Sequence, residues 1–192
     1  LIRPILRGRD IRRNGYDWAG LYIILTHNGY VNEAGNYTNR IDINHFPALK
    51  EWFDNGNWNT KSEKGSNQKR LAARTDKGNT PYNLRDCTYM DDFDKQKIIF
   101  SRISGDQPCF AMDSNRMLLN DTGYTIIGNN LDYLLKELLS DIVWFAFKRY
   151  YMGGGVEKEF KVNNLLKLPI KKPGISYELT DEEIKFISSS VN

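Results

Sequence analysis

The sequence predicts an α+β domain with a mixed, largely antiparallel sheet and one long buried helix. Short apolar runs rich in β-branched and aromatic residues alternate with turn residues before position 129. Residues 131–152 then repeat apolar side chains at steps of three and four, which is the period of an α-helix. A chain in which strands precede the main helix is typical of the α+β class.

The first half of the chain predicts two extended pieces and two short helices. In order, the predicted elements are an extended piece at 2–6, a buried strand at 21–25, a loop at 29–44, a helix at 46–53, a loop at 54–68, a helix at 68–75 and a turn at 78–86. An Asn-Gly pair ends the strand. Pro47 suits a first helical turn, and Leu49, Trp52 and Phe53 share one face of that helix.

The second half predicts three strands, the long helix and a tail helix. The predicted elements are strands at 97–103, 109–113 and 124–128, a helix from 131, a short strand at 159–162, an extended piece at 165–170 and a helix at 180–188. Asn130 is the expected N-cap of the long helix, and a glycine triplet ends it. Trp144 and Phe147 widen its apolar face, while Thr180 and Glu183 form a capping box.

Basic residues are clustered, although the net charge of the chain is only +3. Residues 1–13 hold five arginines against one aspartate, and residues 61–77 hold six basic residues against two acidic ones. Acidic residues collect at 91–94 and 181–183 instead. Such a distribution is what a one-sided electrostatic surface requires, although a solvated basic face is the plain alternative.

The two cysteines, Cys87 and Cys109, have neither metal-ligand spacing nor a disulfide-rich context, which favours a cytoplasmic protein. No apolar run is long enough to cross a bilayer, so no membrane partner is expected. The sequence begins with leucine inside an arginine-rich segment, so we expect a C-terminal domain, residues 1–192, of a longer chain.

Motifs of self-contained catalysis are weak. The chain has no P-loop and no His-Glu-x-x-His pattern, and its two histidines, His27 and His45, lie in ordinary polar contexts. Residues 79–82 differ from the Asn-Pro-Pro-Tyr motif of amino-methyltransferases by a threonine, and a turn is the expected structure. Asp141 followed by Glu159-Phe160-Lys161 matches a nuclease pattern only loosely, since Asp141 falls inside the predicted helix.

The remaining signal is an ordered series of segments. They are 5–11, 18–25, 46–49, 84–87, 93–100, 110–113, the helix from 131, and 166–170. The most specific are Arg-Gly-Arg-Asp-Ile at 7–11, Lys-Ile-Ile at 97–99 and Leu-Pro-Ile at 168–170. The series resembles the TaqI-like C-terminal specificity domain, the target recognition domain of adenine-N6 DNA methyltransferases and of fused type II restriction-modification enzymes. This resemblance implies a curved sheet of the target-recognition type.

The resemblance also implies a division of labour. A separate catalytic domain of the same chain would bind S-adenosylmethionine and methylate a flipped adenine, and a fused endonuclease would use Mg²⁺. Residues 1–192 would hold no cofactor and would select the sequence in double-stranded DNA. The residues expected at the DNA are Arg7, Arg9, Arg12, Arg13, Lys69, Arg70, Arg74, Lys77, Lys97 and Arg102. We expect these side chains to converge on one concave side of a rigid scaffold.

Some roles stay open at this point. Arg9 and Asp10 could pair with each other or with a buried backbone group. Tyr16, Trp58 and Tyr89 could either lie in a groove of DNA or stack on its bases, or they could lie in the core. The basic loop at 54–78 matches no pattern, as expected where specificity varies. Two other function classes remain. One is a metal-dependent nuclease, and the other is a protein-interaction domain that docks the broad face of the long helix on a partner subunit.

Overall fold

The computed structural model of the protein describes residues 1–59, 64–103, 106–152 and 162–191. The chain forms two compact units. Unit 1 consists of Leu1–Arg3 and Ile23–Asp91, and unit 2 consists of Pro4–Tyr22 and Asp92–Asn192. The local sequence patterns predict one domain over residues 1–192 and do not reveal this division.

Runs of strands precede the helices along the chain, and the α+β class is confirmed. The strands are β1 (Ile2–Leu6), β2 (Ile11–Arg12), β3 (Gly15–Tyr16), β4 (Tyr22–Ile24), β5 (Tyr30–Val31), β6 (Tyr37–Thr38), β7 (Asn57–Asn59), β8 (Lys64–Ser66), β9 (Lys97–Ser101), β10 (Phe110–Asp113), β11 (Leu118–Leu119) and β12 (Gly123–Ile126). The helices are α1 (Pro47–Asn55), α2 (Asn67–Ala73), α3 (Leu131–Leu138), α4 (Asp141–Ala146), α5 (Val162–Leu165) and α6 (Asp181–Val191). Within the described ranges, none of the helices could span a bilayer.

Unit 2 is built on an antiparallel sheet in which β9 lies between β10 and β12. Successive side chains of a strand point to opposite faces, and both faces of β9 are covered. Phe100 packs with α3 and α4 on one face, whereas Ile99 packs with Leu6 and Ile11 on the other. This explains why all five residues of β9 are buried. The strands form several small sheets rather than one large curved sheet.

The predicted long helix is broken at Ser140. The Ser140 hydroxyl donates to the Glu137 carbonyl at 2.7 Å, and its oxygen accepts the Val143 N–H at 3.3 Å. One side chain therefore ends α3 and caps α4. Asn130 precedes α3 as predicted, but its side chain makes no capping hydrogen bond. Its backbone is left-handed, with φ of 57°. After α4, residues Phe147–Tyr151 form one turn of π-helix.

The C-terminal segment follows the predictions in part. The capping box is confirmed, with Thr180 N donating to Glu183 Oε2 at 2.8 Å and Glu183 N donating to Thr180 Oγ1 at 3.2 Å. Ile187 is buried as expected, but Ile184 is 42% exposed. Of the extended piece expected at 165–170, Leu165 ends helix α5, residues 166–167 form a turn, and residues 168–170 have no regular secondary structure. The glycine triplet and most of the strand expected at 159–162 lie outside the described residues.

Tyr177 joins the segment before α6 to α3. Its hydroxyl donates to the buried Glu137 carboxylate at 2.8 Å, and burial raises the pKa of Tyr177 to about 12. The Lys171 ammonium lies 4.5 Å from the centre of the Tyr177 ring. These contacts fix the chain that leads into the tail helix.

Unit 1 contains helices α1 and α2 and two hairpins, β5–β6 and β7–β8, inside stretches that were predicted as loops. Phe53 is buried, but Trp52 on the expected apolar face is 47% exposed. The strand at 22–24 is shorter than predicted, and Tyr22 is 60% exposed rather than buried. Residues 79–82 form a turn, as expected, with Asn79 N donating to Asn28 Oδ1 at 2.8 Å.

Candidate nucleic-acid interface

In unit 2, Arg7 and Asp10 form a pair that shapes the N-terminal arginine segment. The Arg7 guanidinium donates from Nε to Asp10 Oδ2 at 3.0 Å and from one terminal nitrogen to Oδ1 at 2.6 Å. The Arg7 backbone N–H donates to the same carboxylate at 2.9 Å. These hydrogen bonds hold the pKa of Asp10, which is only 4% exposed, below its usual range. Arg7, not Arg9, is therefore the partner of Asp10.

Gly8 brings the segment against the turn that precedes β12. Its N–H donates to Thr122 Oγ1 at 2.8 Å, and a Cβ at position 8 would lie 2.3 Å from the Thr122 carbonyl oxygen. Only glycine fits such an approach of two backbones. The same carbonyl accepts the backbone N–H of Arg102 at 2.8 Å. The arginine segment, the turn and the end of β9 are thereby tied together.

An open cleft of about 470 Å³ lies between the arginine segment, the turn and the end of β9. The cleft is lined by Arg7, Arg9, Ser101, Ile103, Asn120 and Thr122. Arg9 and Arg102 are both exposed. Within the described part of the chain, the Arg9 guanidinium has no hydrogen-bond or ion-pair partner. The structure thus brings Arg7, Arg9 and Arg102, three of the predicted residues, into one neighbourhood of unit 2.

Arg12 and Arg13 make exposed contacts. Arg12 Nε lies 3.0 Å from a carboxylate oxygen of Asp17, and both side chains are more than half exposed. Arg13 donates to the Leu139 carbonyl at 2.7 Å. Exposed ion pairs contribute only ~0–1 kcal/mol. Arg12 can therefore exchange Asp17 for a phosphate at small cost.

Lys97 is a correction to the predicted set. Its side chain is fully buried, and its ammonium donates to Asp113 at 2.6 Å and to the Phe93 carbonyl at 2.8 Å. Asp113 also accepts the Tyr16 hydroxyl at 3.1 Å. A lysine enclosed in this way has no path to DNA, so we leave it out of the interface. The hydroxyl of Tyr16 is likewise occupied by its hydrogen bond to this buried carboxylate.

In unit 1, the four predicted cations differ in what they do. An Arg74 terminal nitrogen donates to the Asn83 carbonyl at 2.9 Å, and the Lys77 ammonium donates to the Ala72 carbonyl at 2.9 Å. Both side chains lie at the C-terminal end of α2, where a positive charge interacts favourably with the negative end of the helix dipole. Lys69 and Arg70 are exposed on α2. The Arg70 guanidinium lies 4.1 Å from the centre of the Trp58 ring.

Sequence analysis missed the polar residues of the cleft. The Asn120 side-chain oxygen accepts a hydrogen bond from the Thr122 hydroxyl at 2.6 Å. The Thr122 hydroxyl oxygen in turn accepts the backbone N–H of Gly8. An Asn-Asp-Thr-Gly run signals a turn, but nothing local indicates that the turn meets a segment more than a hundred residues earlier. Trp58 was recognised as a possible stacking residue, and it is partly exposed beside Arg70. Tyr89 is 56% exposed.

The structure bears differently on the two other function classes. Asp141 lies in the first turn of α4, and its proposed nuclease partners Glu159 and Lys161 are outside the described residues. Among the residues that are described, no three His, Cys, Asp or Glu side chains are grouped to hold a metal ion. The broad face of the predicted long helix, including Leu135 and Trp144, is buried in the core of its own unit. That face is not available to a partner subunit.

Comparison with known families identifies the type of domain. A family model described as the TaqI-like C-terminal specificity domain matches residues 3–170. No curated protein sequence matches the chain. The matched range includes every candidate DNA-binding residue and ends before the tail helix α6.

Proposed function

Because the chain belongs to the family of TaqI-like C-terminal specificity domains, which recognise DNA, we propose that it selects a short sequence in double-stranded DNA for an adenine-N6 methyltransferase. Methyl transfer would take place in a separate catalytic domain of the same protein, with S-adenosylmethionine as the methyl donor. We propose a cytoplasmic restriction-modification system as its setting. If that system includes a fused endonuclease, the cleavage step would require Mg²⁺.

The cleft in unit 2 is the observation that carries this proposal. Arg9 and Arg102 are exposed at a site where two backbone segments are locked together by Gly8 and Thr122. Contacts from arginine to phosphate fix the register of a protein on the duplex. A rigid backbone holds such contacts at fixed positions, which lowers the ordering cost of binding. The Arg7–Asp10 ion pair supports the segment, and the Arg7 side chain remains 27% exposed at the cleft.

A selection experiment tests the proposal. The 192-residue chain is mixed with a pool of randomised DNA duplexes, and the bound duplexes are sequenced. We expect enrichment of one short sequence, bound at least about 10³-fold more tightly than unrelated duplexes. Uniform binding to all duplexes, or none, would contradict sequence recognition.

Two variants and a matched control locate the contact. Arg9→Ala and Arg102→Ala each remove one exposed positive charge near the cleft and should weaken duplex binding. Lys185→Ala removes one exposed positive charge from α6, outside the matched range, and should leave binding unchanged. Equal effects of all three substitutions would point to a general loss of charge rather than to this site.

A further inference from the structure

Trp58 and Arg70 form a cation–π pair on the surface of unit 1. The guanidinium carbon of Arg70 lies 4.1 Å from the centre of the indole ring. We propose that Arg70, oriented by Trp58, reads a guanine in the major groove of the recognised DNA. This inference rests on the proposed function and assigns one part of its specificity to one residue.

The indole ring is held by the hairpin on which it lies. In the antiparallel pairing of β7 and β8, Trp58 stands opposite Gly65. A Cβ at position 65 would lie 3.0 Å from the indole Nε1, so the ring occupies the space that a side chain there would take. The ring is therefore packed on the neighbouring strand and is only partly exposed.

The helix that carries Arg70 is fixed at its first turn. Helix α2 begins directly after β8, and the Ser66 hydroxyl oxygen accepts the Lys69 N–H at 3.5 Å. Asn67 is buried, and its side-chain amide donates to the Trp52 carbonyl at 2.8 Å. Its backbone N–H donates to the Gly56 carbonyl at 3.0 Å. Arg70 follows Asn67 by three residues on the same helix, so these contacts fix the position of its Cα relative to Trp58.

The contact with the indole ring positions the guanidinium and leaves its N–H groups open. An arginine stacked on an aromatic face keeps its N–H groups in the plane of the fork, where they can form two parallel hydrogen bonds. Within the described ranges, these N–H groups have no hydrogen-bond or ion-pair partner. Arg74, by contrast, donates to the Asn83 carbonyl.

A positioned, planar fork fits the major-groove edge of guanine. Guanine offers two acceptors, O6 and N7, on its major-groove edge, and bidentate arginine is the commonest specific partner of that edge. A phosphate accepts hydrogen bonds from many directions and is satisfied by a mobile lysine. Lys69, which is exposed beside Arg70, fits the phosphate role. The pair of neighbours thus divides into a base reader and a backbone contact.

The test repeats the duplex selection with the full chain and two variants. Arg70→Lys keeps the charge but loses the fork, so we expect preference for guanine at one position to fall about 5- to 150-fold. The salt dependence of binding should stay unchanged. Lys69→Ala is the control, and it should weaken all duplexes alike. Replacing the guanine by 7-deazaguanine removes N7 and should weaken the wild type but not Arg70→Lys.

The outcomes separate the inference from the proposed function. If the wild type selects a sequence and Arg70→Lys selects the same one with equal preference, Arg70 does not read a guanine. A loss of affinity that is equal for all sequences would make Arg70 a phosphate contact and would overturn the inference. If the wild type selects no sequence at all, the proposed function fails, and this assignment fails with it. Thermal unfolding of Arg70→Lys checks that the fold is intact.

Discussion

Lys97 and Asp113 face each other across strands β9 and β10 and form a fully buried ion pair. Removing one partner of a buried pair leaves an uncompensated charge in the core, which costs about 3–5 kcal/mol. We therefore expect Lys97→Met to lower the free energy of unfolding by that amount in urea denaturation. Lys95→Met is the control, since the Lys95–Asp92 pair lies near the surface. Equal stability of the two variants would show that Lys97 is not enclosed.

Asp10 is expected to make stability depend on acid pH. Its pKa is lowered in the folded protein, chiefly by the Arg7 guanidinium, whereas an unfolded aspartate titrates near ~3.9. The carboxylate thus stabilises the fold fully above that pH, and the contribution is lost as the pH falls through the lowered value. Asp10→Asn should be less stable at neutral pH and should show a flatter decline in acid.

The measurement is the free energy of unfolding as a function of pH, from neutral to acid. Asp17→Asn is the control, because Asp17 is an exposed partner of Arg12 and contributes little. Curves for the wild type and Asp10→Asn that run parallel throughout the acid range would show that the Arg7–Asp10 pair does not stabilise the fold.

The fate of each arginine and lysine was only partly readable from the sequence. The Arg7–Asp10 pair spans three residues, so its possibility was visible locally, although Arg9 was the partner considered. The partner of Lys97 is 16 residues away and that of Arg13 is 126 residues away. No local pattern connects positions so distant. A list of basic residues therefore overstates the surface that is available to DNA.

At the level of elements, Ser140 determines that two helices stand where one was expected. Its side chain bonds to both the last turn of α3 and the first turn of α4. Loss of such an N-cap costs about 1 kcal/mol. We expect Ser140→Ala to lower the unfolding free energy by that amount. Ser189→Ala, which removes an exposed hydroxyl bonded to the Phe186 carbonyl in α6, should have a smaller effect.

Thermal or urea unfolding of the two serine variants measures this difference. If Ser140→Ala were as stable as Ser189→Ala, the junction between α3 and α4 would not depend on its cap.

Elements were predictable where their signals are local. The capping box of Thr180 and Glu183 needs only residues three positions apart, and the structure contains it. Helices α1 and α2 likewise lie close to the expected positions. The hairpins β5–β6 and β7–β8 were missed because they are short and rich in asparagine, glycine and lysine. Such composition predicts loops, and pairing between the strands overrides it.

For the whole molecule, the family was predictable because it depends on the order of many segments. The matched range, residues 3–170, agrees with the resemblance read between residues 5 and 170. The division into two units was not predictable, since it depends on contacts between distant parts of the chain. The exposed cations of interest are divided between the units, with Lys69 and Arg70 in unit 1 and Arg9 and Arg102 in unit 2. We predict that the exposed cations of each pair contact DNA.

The salt dependence of duplex binding tests this central claim most directly. Each lost phosphate contact should reduce the slope of log affinity against log salt by about 1, whereas a base reader changes it little. We therefore expect slopes reduced by about 2 in Arg9→Ala/Arg102→Ala and by about 1 in Lys69→Ala/Arg70→Ala, with additive effects when the two double variants are combined. A wild-type slope near zero, or a slope that neither double variant alters, would contradict the account.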